Sequence, residues 1–203
     1  MLPGHLDKIS KLPRSVNCLS IWDIDDTLFE SLNTHVYVLH DNKIVKRLTT
    51  SEFNTYRLKP GETVDFFEFK DANIFFHTAS PLSSNIKKAK DAIESNHTFM
   101  VTLTARTNFN DKGLFLKKMS MFGLDLNRPD THAIRAGNLN MGSPSVAKAK
   151  IISECLATNR FKSVYMYDDS SKNLDAFLAL KSANKGVHFG AYLAQHGKLK
   201  HYG

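Results

Sequence analysis

Asp23 and Asp25 stand two residues apart at the exit of an apolar run, Cys18-Leu19-Ser20-Ile21-Trp22, that reads as a buried β-strand. In extended backbone, residues i and i+2 point to the same side. Both carboxylates therefore face one small volume. In an α/β protein that volume lies at the carboxyl edge of the sheet, where such folds keep their sites. Two crowded carboxylates repel unless a cation lies between them or one of them holds a proton. The chemistry on offer is a hard-metal site, an acid–base pair, or both. The nine histidines are scattered without metal-ligand spacing, and Cys18 and Cys155 provide neither a disulfide framework nor a cysteine zinc site.

Elements must bring other polar groups to the same edge. Residues 1–17 read as an irregular lead-in with Pro3, Gly4 and Pro13 as breakers. His35–Leu39 and Lys43–Leu48 read as a hairpin through Asp41-Asn42. Thr49-Thr50-Ser51-Glu52 has capping-box spacing and predicts a short helix to Tyr56. Phe66, Phe67, Phe69, Phe75 and Phe76 crowd one stretch and read as a local core rather than a base-stacking surface. From Ser80 onward strands and helices alternate. The predicted helices run from Ser83 to Ser95, with Ser83-Ser84 as the cap, Asn110 to Phe122, Ser143 to Ala157 and Ser171 to Leu180. The predicted strands are Phe99–Leu103, Thr131–Arg135, Val164–Tyr167 and a final Val187–Leu193. Repeated strand–helix units imply a parallel sheet with helices on both faces. Thr104-Ala105-Arg106 then ends one strand and Asp168-Asp169 another, while Lys148 lies early in a helix whose Ile151, Ile152 and Cys155 form an apolar stripe. Lys150 is its rival. Lys148 is preferred because isoleucines follow it at i+3 and i+4.

The chain has 203 residues, enough for one domain with a modest insertion. No apolar stretch approaches membrane-spanning length, and Met1–His5 lacks the basic-then-apolar pattern of a secretory leader. A reducing cytoplasm is expected, with no membrane partner. Net charge is +7, which favours anionic partners such as phosphate esters, nucleotides or nucleic acid without choosing among them. Lys87-Lys88-Ala89-Lys90 and Lys117-Lys118 read first as solvated helix faces.

Taken together these residues resemble the four motifs of the haloacid dehalogenase-like superfamily of phosphohydrolases. Asp23-Ile24-Asp25-Asp26-Thr27 resembles motif one, Thr104 the motif-two Ser/Thr, Lys148 the motif-three lysine and Asp168-Asp169 the acidic motif four. The overall look is similar to small members encoded by tailed bacteriophages, which would place the protein in the host cytoplasm. The resemblance implies a Rossmannoid α/β core over residues 18–29 and 77–203 and a small mixed cap at 30–76. It implies Asp23 as nucleophile through an aspartyl-phosphate, and Asp25 as acid, then base. It implies Mg2+ on Asp23, the Asp25 carbonyl and Asp169. Thr104 and Lys148 would stabilise the phosphoryl oxygens, Thr27 would orient Asp25, and Arg106 would add a phosphate or substrate contact. Two positions depart from many relatives: Asn173 stands where they carry an acidic residue, and Asp168 where they carry glycine. Both are expected in supporting roles. Paired aspartates occur in nucleotidases and polynucleotide 3′-phosphatases of this type. A small cap and a basic mouth suit a nucleotide or nucleic-acid end. The alternatives are a non-catalytic phosphate-binding protein on the same fold and a phosphomutase using the same residues. A dehalogenase would lack the second aspartate of motif one. Oligomeric state is not readable.

Overall fold

The computed structural model describes residues 4–203. In chain order the elements are α1 (Gly4–Lys11), β1 (Cys18–Trp22), β2 (Phe29–Glu30), β3 (Val36–His40), β4 (Lys43–Leu48), α2 (Thr50–Thr55), β5 (Glu62–Asp65), α3 (Phe67–Lys70), α4 (Ala72–Thr78) and β6 (Ser80–Pro81). Then come α5 (Ser83–Glu94), β7 (Thr98–Thr104), α6 (Lys112–Met121), β8 (Thr131–Arg135), α7 (Pro144–Leu156), β9 (Ser163–Asp168), α8 (Ser171–Ala179), β10 (His188–Gln195) and β11 (Lys198–His201).

Apolar runs buried on both faces, β1 and β7, lie side by side inside the central sheet. Its order is β11-β10-β9-β1-β7-β8, with every pair parallel except β10–β11. All seven residues of β7 are buried, as a central parallel strand requires. One face packs Ile9 and Leu12, Ile151, Ile152 and Cys155 of α7, and Leu174 and Phe177 of α8. The other packs Phe75 of α4, Ile86, Ala89 and Ile93 of α5, and Phe115 and Met119 of α6. The protein is thus an α/β fold whose mostly parallel sheet is flanked by helices. After β8 the chain crosses to the far side of β1, so β1 sits where the winding reverses, the usual place for a site.

A second, three-stranded antiparallel sheet, β4-β3-β5, forms most of the insertion between β1 and α5. Asp41 and Asn42 both take positive φ, the geometry of a two-residue hairpin turn. Thr49 and Glu52 make the reciprocal capping box of α2. The insertion's two ends are clipped together where β2 pairs with β6. The Asn85 amide completes the clip by donating to the Thr27 carbonyl at 2.8 Å. Phe75 of α4 packs on Phe29, Phe109 and Phe115, so α4 belongs to the main core and the expected boundary at residue 76 falls inside it.

Three expectations change. The lead-in is not irregular: residues 4–11 are helical, while Pro3 lies outside the described residues. Leu6 and Ile9 form an apolar stripe, Asp7 sits in the first turn, and Lys8 and Lys11 sit in the last, matching the helix dipole. His5 anchors the helix on Glu154 of α7 at 3.1 Å. The strand at 188–195 is not the last, because His196 and Gly197, both with positive φ, turn the chain into β11. The Phe cluster is divided: Phe75 is fully buried, whereas Phe66 and Phe67 are 38% and 44% exposed. The buried member of α3 is Glu68, which accepts from the His35 amide at 2.7 Å and the Tyr37 hydroxyl at 2.5 Å. A smaller difference is the start of α5, where Leu82 takes the cap position and no serine side chain caps it. No helix among the described residues is long and apolar enough to cross a membrane.

If α1 is part of the core, removing its anchor must cost stability. Ile9→Ala should lower the unfolding free energy by about 2–5 kcal/mol in urea titration, the usual range for emptying a buried isoleucine.

Candidate functional site

The carboxyl ends of β1, β7, β8 and β9 lie side by side, and each delivers a polar group. Asp23 follows β1, and its amide donates to the Tyr167 carbonyl at 2.9 Å, so the chain stays in register with β9 as it leaves the sheet. Its side chain is buried. Lys148, on the second turn of α7, reaches under the sheet edge and is itself buried. Its ammonium donates to Asp23 Oδ1 at 2.5 Å and to Asp168 Oδ2 at 2.7 Å. Asp168 is saturated, because Oδ1 also accepts from the Ser170 amide at 3.0 Å and the Asn173 amide group at 2.8 Å. Asn173 therefore fixes Asp168 and does not touch Lys148. Lys150 instead faces outward and pairs with Glu154 at 3.0 Å.

Electrostatics separate the carboxylates. Burial pushes Asp23 well above the usual carboxylate range; Lys148 opposes this, while Asp168, Asp169 and Asp25 add to it. Burial, then the adjacent Asp168, lifts Asp169 to about 7. Asp25 goes the other way. Burial would raise it, but the Arg106 charge and hydrogen bonds and the Ser31 hydroxyl hold it below its ordinary value. Burial lowers the affinity of Lys148 for its proton, yet Asp168 and Asp23 together raise it above an ordinary lysine, so the ammonium stays charged.

Arg106, expected at the substrate, is buried and committed to Asp25. Nε donates to Oδ2 at 2.8 Å and Nη2 to Oδ1 at 2.6 Å, a bidentate fork. Nη1 donates to the Phe69 carbonyl at 2.9 Å, and the guanidinium lies 4.8, 5.1 and 5.3 Å from the rings of Phe69, Phe75 and Phe109. Thr27 does not orient Asp25 either. Its hydroxyl is buried without a partner, and the Ser31 hydroxyl takes that place, donating to Asp25 Oδ1 at 2.5 Å. Asp26 adopts φ 56° as the chain turns back on itself, and its carboxylate accepts from the Thr50 hydroxyl of α2 at 3.1 Å. Thr104 is buried, with its oxygen accepting from the Arg106 amide at 3.2 Å. The loop after β8 is held hard against this turn: a Cβ at Gly137 would lie 2.9 Å from Arg106 backbone atoms, so only glycine fits.

Sequence reasoning passed over two groups here. Ser31 lies in the turn after Asp23–Thr27, where spacing gives no hint of direction. Arg135 ends β8 in direct register with Thr104. Its place as the last residue of a strand was the available signal.

Among the described residues no three His, Cys, Asp or Glu side chains form a ready metal cage. Two carboxylates and a backbone carbonyl make a smaller set, which is the kind magnesium uses with water completing its shell. The donors fit. Asp23 Oδ2 and both Asp169 oxygens accept no hydrogen bond among the described residues, and both groups are raised by burial and like charge. Asp23, Asp25, Asp26, Asp168 and Asp169 face Lys148, Arg106 and Arg135; with all five carboxyls ionised they would leave two unbalanced negative charges, which a divalent cation would cancel.

Comparison with known proteins finds no matching family model, no matching curated protein and no matching solved structure.

The two lysines of α7 are separable by stability. Lys148→Met strands two buried carboxylates and should cost about 3–5 kcal/mol, whereas Lys150→Met at the surface should stay within about 0.5 kcal/mol. Chemical denaturation of the two variants reads the difference.

Asp169 gives a pH signature. A carboxyl raised in the folded state destabilises it once the unfolded chain ionises, so metal-free stability should fall as pH rises from about 4 to about 7 and then level off. Magnesium should therefore raise the melting temperature more at pH 8 than at pH 5. In Asp169→Asn the metal-free slope should flatten and the magnesium response shrink, both measured by thermal unfolding.

Proposed function

We propose that this protein is a magnesium-dependent phosphatase of the haloacid dehalogenase-like type, acting on phosphate monoesters through an aspartyl-phosphate on Asp23. The observation that supports it most is the state of the Asp23 carboxylate. It is buried at a sheet edge, one oxygen is held by Lys148, and the other accepts no hydrogen bond among the described residues. A nucleophile needs this kind of aimed, poorly solvated oxygen.

Each neighbour then has a physical task. Lys148 has three donors and spends two on Asp23 and Asp168, leaving one for a phosphoryl oxygen. The Thr104 oxygen already accepts from an amide, so its proton is available to a second phosphoryl oxygen. Asp23, the Asp25 carbonyl and Asp169 would hold magnesium, whose charge would screen the approach of carboxylate to phosphate dianion. Asp25 rests ionised under Arg106 and Ser31, which suits the base that takes a proton from water when the aspartyl-phosphate is hydrolysed. Protonating the leaving alkoxide requires Asp25 to carry a proton first, and hence Arg106 to loosen its fork. Arg106 also carries the Phe69 carbonyl, so the insertion is mechanically tied to that event.

The insertion acts in this reading as the cap that chooses substrates. Residues 30–76 carry six Lys/Arg against seven Asp/Glu, so the net charge of +7 comes from the core and the mouth is not basic through the cap. Exposed Phe66 touches Phe69, which lies on Arg106, and this aromatic rim favours a nucleotide or nucleic-acid end over a sugar phosphate.

Phosphate release from nucleotides, sugar phosphates, 3′-phosphorylated oligonucleotides and p-nitrophenyl phosphate tests the reading. Activity should need magnesium, and Asp23→Asn should lose at least about a thousandfold in kcat. Wild-type turnover by Asp23→Asn, or full activity in excess chelator, overturns it.

A further inference from the structure

Three cations border the site, and two of them are spoken for. Lys148 has two carboxylates and Arg106 has one, gripped by both arms of its fork. Arg135 has none: no hydrogen bond or ion pair to its guanidinium is present among the described residues, and its Nη1 is buried without an acceptor. Burial, then repulsion from Arg106, pushes its pKa down to about 10, with Asp25 the one opposing charge. The guanidinium carbon lies over aromatic rings, 4.2 Å from the centre of Phe115 and 5.2 Å from that of Phe109. Contact with ring faces satisfies none of its N–H donors. A half-buried guanidinium packed on two rings with unused donors is prepared for a planar or tetrahedral oxyanion.

Its place in the sheet says which oxyanion. Arg135 is the Cα partner of Thr104, and β8 lies two strands from β1, roughly 10 Å at ordinary strand spacing. The reacting phosphoryl, in the reading above, sits among Asp23, Thr104 and Lys148. Arg135 is one strand beyond, on the insertion side of the sheet, where Phe109 and Phe115 pack. Gly137 keeps the loop that follows it pressed on the Arg106 turn, so the two arginines cannot drift apart.

We propose that Arg135 forms a second anion subsite that binds a non-reacting phosphate of the substrate, next to the one being removed. This rests on the phosphatase reading and narrows it to esters that carry two neighbouring phosphates. The second phosphate either hangs on the same nucleoside or is the adjoining phosphodiester of a nucleic-acid end. The subsite recognises their shared chemistry.

The experiment compares adenosine 3′,5′-bisphosphate, adenosine 3′-monophosphate and a 3′-phosphorylated dinucleotide on wild-type protein, Arg135→Met and Arg135→Lys, with magnesium fixed. Wild type should prefer a doubly charged substrate over the monophosphate by about 10- to 100-fold in kcat/KM, mostly through KM, the range for one charged hydrogen-bonding group. Arg135→Met should bring that ratio close to one, and Arg135→Lys should restore part of it. Whichever of bisphosphate and dinucleotide shows the larger ratio identifies the source of the second phosphate. Because the readout is a ratio, general damage to folding cancels. A wild-type ratio near one, or a ratio unchanged in Arg135→Met, overturns the proposal. Calorimetric binding of the bisphosphate and monophosphate to the same proteins gives the same ratio without turnover. No hydrolysis of any ester, with Arg135-dependent binding intact, would sink the phosphatase reading alone. No Arg135-dependent binding would sink the subsite.

Discussion

Everything at the carboxyl edge of this sheet hangs on one buried ammonium. Lys148 lies between Asp23 and Asp168, so three segments from distant parts of the chain meet at one charge. Taking three ions out of water is expensive, and the attraction between them repays that cost only when the geometry is close and the remaining polar atoms are satisfied. Asp168 meets that condition with Ser170 and Asn173. Asp23 does not, and the group is left with one more negative than positive charge. Asp23 is thus the carboxylate the arrangement leaves under-stabilised, while Asp168 absorbs the structural duty.

A second ion pair connects the insertion to the same edge. Arg106 holds Asp25 with one side of its guanidinium and the α3 backbone with the other, and Phe69, Phe75 and Phe109 enclose it. Glu68, one residue earlier, ties α3 to β3 through His35 and Tyr37. Any shift of the small sheet is therefore felt at Asp25 through two consecutive residues. The β2–β6 clip and the Asn85 bond to Thr27 fasten the base of the insertion to the main sheet's edge.

Much of this was legible in the residue pattern. β1 and β7 are apolar runs buried on both faces, β9 alternates half-buried and buried residues, and Asp23, Thr104 and Asp168 stand at or just past their carboxyl ends. The isoleucine stripe at Ile151 and Ile152 puts Lys148 on the buried side of its helix, where it meets Asp23 and Asp168, while Lys150 faces out. What failed was direction within turns. Thr27 and Ser31 are both hydroxyls shortly after Asp25, and only the tight turn through Asp26 decides which reaches it. The bond from Arg106 to Asp25 spans 81 residues of chain, so local spacing points Arg106 to the substrate and leaves its carboxylate partner unseen. The helix at 4–11 was hidden by Gly4 and Pro13, which bound it rather than break it. The strand at 198–201 was hidden because an edge strand of Lys-Leu-Lys-His needs no apolar alternation.

The position of β1 has a consequence for how the molecule is made. It is the first strand of the sheet in the chain and one of the two middle ones, and both its neighbours come much later. Asp23 and Lys148 are 125 residues apart, and Asp168 lies beyond both. A growing chain therefore presents Asp23 and the bare edges of β1 well before their partners have been synthesised. Closing loops of that length is what slows folding, and unpaired strands are what aggregate in the interval. Asp23 thus gains its ammonium partner only once α7 has been made, and a chain that stops before α7 has no Lys148 to shield that buried carboxylate.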